Sequence, residues 1–264
     1  GSYGSYATKT DGTLWAWGDN RSGQLGQGNT TANSSPVQVG ALTTWSKTAL
    51  GNTSTLALKT DGTLWSWGQS DQGQLGLGNT TSYSSPVQVG SLTTWSKIAS
   101  GWRHSLAITT DGKLYAWGYN ALGNLGLGNT TAYSSPVQVG ALTTWLDVAA
   151  GRECSLAIKT DGTLWTWGYN NYGQLGQGNT TSYSSPVQVG ALTTWLNVAG
   201  GRYHTLATTT DGKLYAWGYN DHGQLGQGDS GSSTYRSSPV QVGALTGWSV
   251  LSSMTGSRES IVLF

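Results

Sequence analysis

Asp111-Gly112-Lys113-Leu114-Tyr115-Ala116-Trp117-Gly118 is one of five near-copies of a single phrase, the others beginning at Asp11, Asp61, Asp161 and Asp211, a constant step of 50 residues. A second phrase, Ser-Ser-Pro-Val-Gln-Val-Gly, begins at Ser34, Ser84, Ser134, Ser184 and Ser237, so only its last copy slips, by three residues. Repetition at this period marks an architecture whose units bury their faces against neighbours. All five prolines lie in the second phrase. Thirteen of the 14 tryptophans fall at the three repeat phases of Trp15, Trp17 and Trp45; Trp102 alone is out of phase.

Within one unit, Ser105 to Thr110 and Lys113 to Trp117 read as two short strands. Asp111-Gly112 between them is a two-residue hairpin signal, in which both central positions want positive φ. Gly118 to Tyr133 is too rich in glycine and asparagine to be a helix. Pro136 to Val139 reads as a third strand, with proline at its first residue where no ladder bond is lost. Thr143 to Ala149, around Trp145, reads as a fourth. Four strands per unit and no helical period predict an all-β fold. A 50-residue, four-stranded unit fits the blade of a β-propeller better than the shorter coil of a β-solenoid. Recurrence of Leu14, Trp15 and Trp17 in phase makes them the expected core between blades, since so many exposed indoles would be implausible.

The expected division is one propeller domain over 1–264, with units 5–54, 55–104, 105–154, 155–204 and 205–259 and a closing strand at 260–264. That supplies one strand more than five blades need. Closure of the ring by mixing terminal strands in one blade is therefore expected. Oligomerisation through the surplus strand is the alternative.

Composition removes several function classes. Charged residues are only 9% of the chain and the net charge is +1, so there is no basic run to bind nucleic acid. A lone cysteine, Cys154, excludes an intrachain disulfide and a cysteine-rich zinc site. Membrane insertion is not expected, because no apolar run approaches the ~20 residues that span a bilayer, and no leader is read at Gly1. Low charge and Gly/Ser/Thr/Asn richness favour an extracellular or virion surface.

The succession Gly101-Trp102-Arg103-His104-Ser105-Leu106-Ala107, then Asp111-Gly112, Tyr115-Ala116-Trp117-Gly118-Tyr119-Asn120 and Gly123-Asn124-Leu125-Gly126, resembles the repeat of the regulator of chromosome condensation family. The pattern covers essentially the whole chain. The resemblance implies a β-propeller of four-stranded blades, commonly seven in the family against five units here. Near-identical units point to a bacterial, phage or engineered member. The founding eukaryotic member promotes nucleotide exchange on a small GTPase and docks on nucleosomes through a wedge insertion and a basic tail. Neither is legible here: the longest insertion is three residues, near Ser232 to Arg236.

The five copies serve as their own comparison, and they vary in two segments. One reads Ser2-Tyr3-Gly4, Asn52-Thr53-Ser54, Trp102-Arg103-His104, Arg152-Glu153-Cys154 and Arg202-Tyr203-His204. The other follows Trp-Gly, at 19–22, 69–72, 119–122, 169–172 and 219–222. Both are turn or loop phases, where binding residues sit on a fixed scaffold. The ligand-binding candidates are Trp102, Arg103, His104, Arg152, Arg202, Tyr203, His204, Tyr119, Tyr169 and Tyr219, of types enriched at recognition hot spots. Neutral drift at exposed turns is the plainer reading. Tyr83, Tyr133 and Tyr183 are candidate sugar-stacking platforms, or pack down on their loops.

No catalytic set, metal site or cofactor is expected. The aspartates Asp11, Asp61, Asp111, Asp161 and Asp211 belong to the hairpin turns. His104 and His204 share a phase but lie two units apart, too far to converge on one ion, and Cys154 between them reads as a buried thiol. Asn29, Asn79, Asn129 and Asn179 open Asn-Thr-Thr triplets that read as polar turns rather than glycosylation acceptors. The functional expectation is a non-enzymatic scaffold that binds a protein or surface ligand through its loop faces. A multivalent lectin is the alternative, and a nucleotide-exchange regulator ranks third.

Overall fold

The computed structural model of the chain describes residues 4–248, 250–252 and 261–263. They form twenty-one strands and one 3-10 turn, Ser232–Thr234. The first three strands, β1 (Gly4–Thr8), β2 (Leu14–Gly18) and β3 (Asn33–Gln38), make one sheet. Four complete antiparallel blades follow. The first is β4 (Trp45–Leu50), β5 (Ser54–Lys59), β6 (Leu64–Gly68) and β7 (Tyr83–Gln88); the second is β8 (Trp95–Ser100), β9 (His104–Thr109), β10 (Leu114–Gly118) and β11 (Tyr133–Gln138). The third is β12 (Trp145–Ala150), β13 (Cys154–Lys159), β14 (Leu164–Gly168) and β15 (Tyr183–Gln188). The fourth is β16 (Trp195–Gly200), β17 (His204–Thr209), β18 (Leu214–Gly218) and β19 (Arg236–Gln241), and β20 (Val250–Ser252) pairs with β21 (Ile261–Leu263).

Strands β4, β8, β12 and β16 neighbour one another from blade to blade. Each blade therefore begins with the last strand of one sequence unit and continues with three strands of the next. Of the closing strand expected at 260–264, residues 261–263 pair with β20, while 260 and 264 lie outside the described residues, as do 253–259 of the fifth unit. Among the described residues no ladder joins the β1–β3 sheet to β20 or β21.

Alternation along each strand sends its side chains into two different interfaces. In β9 and β10, Leu106, Ile108, Leu114 and Ala116 pack toward the following blade against Trp145, Val148 and Trp167. Ala107 and Trp117 pack the other way, against Leu56, Leu64 and Trp95. The blade-to-blade contact is sealed by one backbone acceptor. The Gln74 carbonyl receives the Trp117 indole N–H at 3.0 Å and the Ser105 hydroxyl at 2.8 Å. The same pair recurs on the carbonyls of Gln24 (Trp67, Thr55), Asn124 (Trp167, Ser155) and Gln174 (Trp217, Thr205). Trp67, Trp117, Trp167 and Trp217 are fully buried. Gly76, at φ +74°, lies so close that a Cβ would sit 2.7 Å from the Trp117 Nε1, so only glycine fits there.

The strand hairpin differs from the expected two-residue turn. The Gly112 N–H donates to the Thr109 carbonyl at 2.9 Å, and no residue other than glycine has positive φ among the described residues. The loop is thus a longer turn whose last residue, Gly112 at φ +77°, alone takes the left-handed conformation. Asp111 contributes its carboxylate rather than an unusual backbone.

Two versions of this turn exist, each internally consistent. In Lys59-Thr60-Asp61-Gly62-Thr63-Leu64-Trp65, the Thr63 hydroxyl donates to Asp61 at 2.6 Å and accepts the Trp65 indole N–H at 2.9 Å, while the Lys59 ammonium lies 3.5 Å from the Trp65 ring. In Thr109-Thr110-Asp111-Gly112-Lys113-Leu114-Tyr115, the Thr109 hydroxyl takes over at Asp111, 2.5 Å, and Lys113 forms an ion pair with the same carboxylate at 2.7 Å. Tyrosine then replaces tryptophan where threonine no longer offers the indole an acceptor. Trp65 and Trp165 are only half-buried at the edge of the core, unlike the fully buried Trp67 and Trp167.

After four of the five Trp-Gly pairs, a buried asparagine ties down the long loop. Asn120 accepts the Leu125 N–H at 2.9 Å and donates to the carbonyls of Asn129 and Thr131 at 3.1 and 2.9 Å. Asn20 and Asn170 make the same set. Asn220 likewise accepts the Leu225 N–H and donates to the Asp229 carbonyl, whereas Ser70 occupies this place in the loop after Trp67-Gly68, buried, with its hydroxyl lacking a partner. Ser82, which supports the Ser70 N–H, coexists with asparagine in the Asn170 copy as Ser182. Ser70→Asn is therefore expected to stabilise the protein by about 1–2 kcal/mol through the restored bonds. Urea melts of the two proteins check this, and a destabilised variant would contradict the equivalence of the loops.

Candidate functional site

Antiparallel register decides where the variable segments meet. His104 pairs with Gly118 at one end of the β9–β10 ladder, so the turn before β9 and the segment after β10 emerge together. The Tyr119 N–H donates to the Arg103 carbonyl at 2.8 Å, Tyr169 to Glu153 at 3.0 Å and Tyr219 to Tyr203 at 2.9 Å. Adjacent blades are stitched at the same level: the Trp102 N–H donates to the Arg152 carbonyl at 2.9 Å, and the Arg152 N–H to Gly201 at 3.1 Å.

On this frame the side chains form a continuous arginine–aromatic band across three blades. Trp102 is stacked by two guanidinium groups, Arg103 at 4.6 Å and Arg152 at 4.4 Å. Arg152 also lies 5.6 Å from the Tyr203 ring and donates from Nη1 to its hydroxyl at 3.1 Å. Arg202 stacks on Tyr203 at 5.3 Å. The band continues through Tyr172, 4.8 Å from Tyr203 and 5.1 Å from Tyr219, to Tyr235, 4.9 Å from Tyr219. Tyr169 flanks both Tyr172 and Tyr203. Planar guanidinium groups suit such stacking, worth about 0.5–1 kcal/mol each where exposed and more where desolvated.

Charge along the band is unevenly matched. Arg103 pairs with Asp71 at 3.3 Å, whereas Arg152 reaches Glu153 only at 4.0 Å. Burial raises the Glu153 carboxyl above its ordinary range, the fields of Arg152 and Arg202 opposing this. Asp221 accepts the hydroxyls of Tyr219 and Tyr235 at the far end.

Of the ten loop-face candidates, the structure brings Trp102, Arg103, Arg152, Arg202, Tyr203, Tyr169 and Tyr219 into the band. Tyr119 stands apart, with no ring stacking among the described residues. His104 and His204 lie beneath the surface, 1% and 2% exposed, so they are not presented to a ligand. Their side chains share a strand face with Leu106 and Leu206. The His104 Nε2 is 3.0 Å from the Ser155 hydroxyl, and burial lowers the pKa of both histidines to about 4. Cys154 holds the same position between them, its thiol pushed up to about 12 by burial. No cluster of His, Cys, Asp or Glu able to hold a metal occurs among the described residues.

Tyr83, Tyr133 and Tyr183 each begin the outer strand of a separate blade and are not brought together. Tyr133 lines a groove of about 590 Å³ with Leu142, Trp145, Lys159 and Trp165. Tyr183 accepts an amide bond from Asn179 at 3.0 Å. In the Asn-Thr-Thr triplets the asparagine Oδ1 accepts the N–H two residues on, as Asn129 does from Thr131 at 3.0 Å, giving each a turn role. Sequence reasoning missed Tyr172, Tyr235 and the pairing of Asp71 with Arg103. Tyr172 lies within one of the two variable segments and Tyr235 within the insertion near Ser232 to Arg236, while the Asp71–Arg103 pair depends on contact between blades.

A family model described as Regulator of chromosome condensation (RCC1) repeat matches residues 11–58, 61–108, 111–158, 161–208 and 211–263, and a second of the same description matches 45–74, 95–124, 145–174 and 195–224. Among solved structures, human WBSCR16 aligns with TM-score 0.84 at 23% identity, over 95% of this chain and 67% of that one. Prp20p from Saccharomyces cerevisiae, which binds Gsp1p and histones, aligns with TM-score 0.81 at 24% identity, over 92% and 62%. Yeast RCC1 (Prp20) bound to Kap60 gives 0.83 at 20%, over 100% and 66%. These likenesses show the fold, and the chain spans about two thirds of the length of those structures. No curated protein sequence matches it.

The buried histidines make stability depend on pH. Their folded pKa values of about 4 lie below the ordinary 6.5, so between these limits the unfolded chain binds protons that the folded chain refuses. Stability is full above the upper limit and falls as the pH drops toward the lower one, by roughly 3 kcal/mol per histidine at about 1.4 kcal/mol per pKa unit. A His104→Cys/His204→Cys variant, copying Cys154, is expected to lose most of this acid sensitivity in denaturant melts. An undiminished slope would contradict the burial account.

Proposed function

The chain belongs to the regulator of chromosome condensation repeat family, and we propose that it is a non-enzymatic propeller scaffold that binds a protein partner through the arginine–aromatic band. The carrying observation is the stacking of both Arg103 and Arg152 on Trp102, continued onto Tyr203: residues of one variable segment, from consecutive blades, joined into one surface. Trp, Tyr and Arg dominate binding hot spots because they offer large area with few rotamers to freeze. Stacking immobilises these side chains before a partner arrives, which lowers the entropy cost of binding. Prp20p, similar in fold, binds the proteins Gsp1p and histones, which agrees with this class of function. A nucleotide-exchange role has less support, since the departure from the repeat at Ser232–Thr234 is a single 3-10 turn.

The test is affinity capture with the full chain and with a Trp102→Ala/Tyr203→Ala variant of matched melting temperature. A protein retained by the parent and depleted about tenfold or more by the variant is expected; retention indifferent to the variant would overturn the assignment of the face.

A lectin is the second reading, favoured by the groove in which Tyr133, Trp145 and Trp165 present ring surfaces beside Lys159. It expects saturable glycan-array binding that disappears in a Tyr83→Ala/Tyr133→Ala/Tyr183→Ala variant. Absence of glycan binding by the parent would remove it.

A further inference from the structure

Four of the described arginines have a carboxylate within 4.0 Å: Arg21 has Asp19, Arg103 has Asp71, Arg152 has Glu153 and Arg236 has Asp229. Arg202 is the exception among the described residues. Its Nε is buried without a hydrogen-bond partner, although the guanidinium lies against Tyr203. A buried donor left unmet carries a desolvation cost that a bound acceptor removes. Glu153 feels the field of Arg202 but lies beyond ion-pair distance, and burial weakens its hold on charge.

Arg202 lines a pocket of about 230 Å³ with Tyr172, Tyr203, Tyr219 and Gln224. That is below the ~300 Å³ at which sites for drug-sized ligands begin, and it suits one side chain. The Tyr203 hydroxyl already accepts from Arg152, which leaves its own proton to donate. A guanidinium with an unmet Nε–H, a phenol able to donate and aromatic walls match a carboxylate, which only accepts hydrogen bonds and which arginine binds in a planar fork.

The geometry points to this pocket as the receptor for a single aspartate or glutamate side chain presented by a partner segment, with Arg202 as its counter-charge. The inference rests on the band being a protein-binding face and adds the chemistry of one anchor. Without an occupant, Arg202 is the charge on the band that no described carboxylate pairs; with one, the arginine, phenol and aromatic walls are used together.

The test titrates the full chain with a short oligoglutamate peptide, an oligoglutamine peptide of the same length, and inorganic phosphate, followed by calorimetry and by the Arg202 Nε–H resonance. Saturable oligoglutamate binding that shifts this resonance, weakens at least about tenfold in Arg202→Gln and is unchanged in Arg21→Gln is the expected result. Arg21 serves as control because Asp19 already pairs with it and it lies outside both the band and the pocket. Absent oligoglutamate binding, equal binding of oligoglutamine, or equal loss in both variants would overturn the inference. Binding of phosphate without oligoglutamate would overturn it in favour of an inorganic-anion site. If Arg202→Gln alters melting, the shift of the Arg202 resonance in the parent protein decides the matter alone. Partner capture sensitive to Trp102 and Tyr203 but accompanied by no oligoglutamate binding would defeat the carboxylate anchor and leave the protein-binding face standing.

Discussion

One backbone carbonyl per blade, receiving an indole N–H and a hydroxyl from the next, is the interaction on which the assembly depends. At Gln74 the donors are Trp117 and Ser105, and their positions fix how far one blade is turned and shifted against the other. Because the acceptor is main chain, residue identity is free to change there: Gln24, Gln74, Asn124 and Gln174 serve equally. The donors are not free, and neither is the glycine beneath the indole. The large apolar area of each tryptophan supplies much of the interface energy, while its single N–H supplies the direction.

This clamp also separates scaffold from recognition. The carbonyl lies a few residues beyond the variable segment, so the base of each loop is held while its tip is released to differ. The asparagine that follows Trp-Gly secures the far end of the loop by the same logic, mainly through backbone groups. Trp102, Arg152 and Arg202 therefore differ without disturbing the strands beneath them. Their partnership arises from the closeness of neighbouring blades.

Much of the architecture was legible because the repeat is written in residues with few structural alternatives. Strand pairs, an all-β fold and the core role of the Trp117 phase follow from periodicity and from glycine and proline placement. The hairpin was misjudged because Asp-Gly also closes a longer turn, in which glycine alone must be left-handed. The burial of His104 was within reach of the same reasoning: it stands two and four residues before Leu106 and Ile108, on one strand face. Exchange of lysine and threonine around Asp61 and Asp111, coupled to Trp65 or Tyr115, was also visible in the repeats, yet its meaning needed the hydrogen bonds. The band itself was only half legible. Sequence shows which segments vary, whereas stacking between Arg152 and Tyr203, or between Tyr172 and Tyr235, depends on how blades splay, which no local pattern encodes.

Each complete blade takes its first strand from one sequence unit and the other three from the next. A length of 50 residues therefore restores the full set of pairings wherever the count is started, and the phase of a duplication is immaterial. Unequal recombination between near-identical gene segments would add or remove one whole blade from any breakpoint, with every β-ladder on either side re-formed. Copy number is thereby decoupled from foldability, and a genome can lengthen or shorten the arc in single steps without first evolving a new junction.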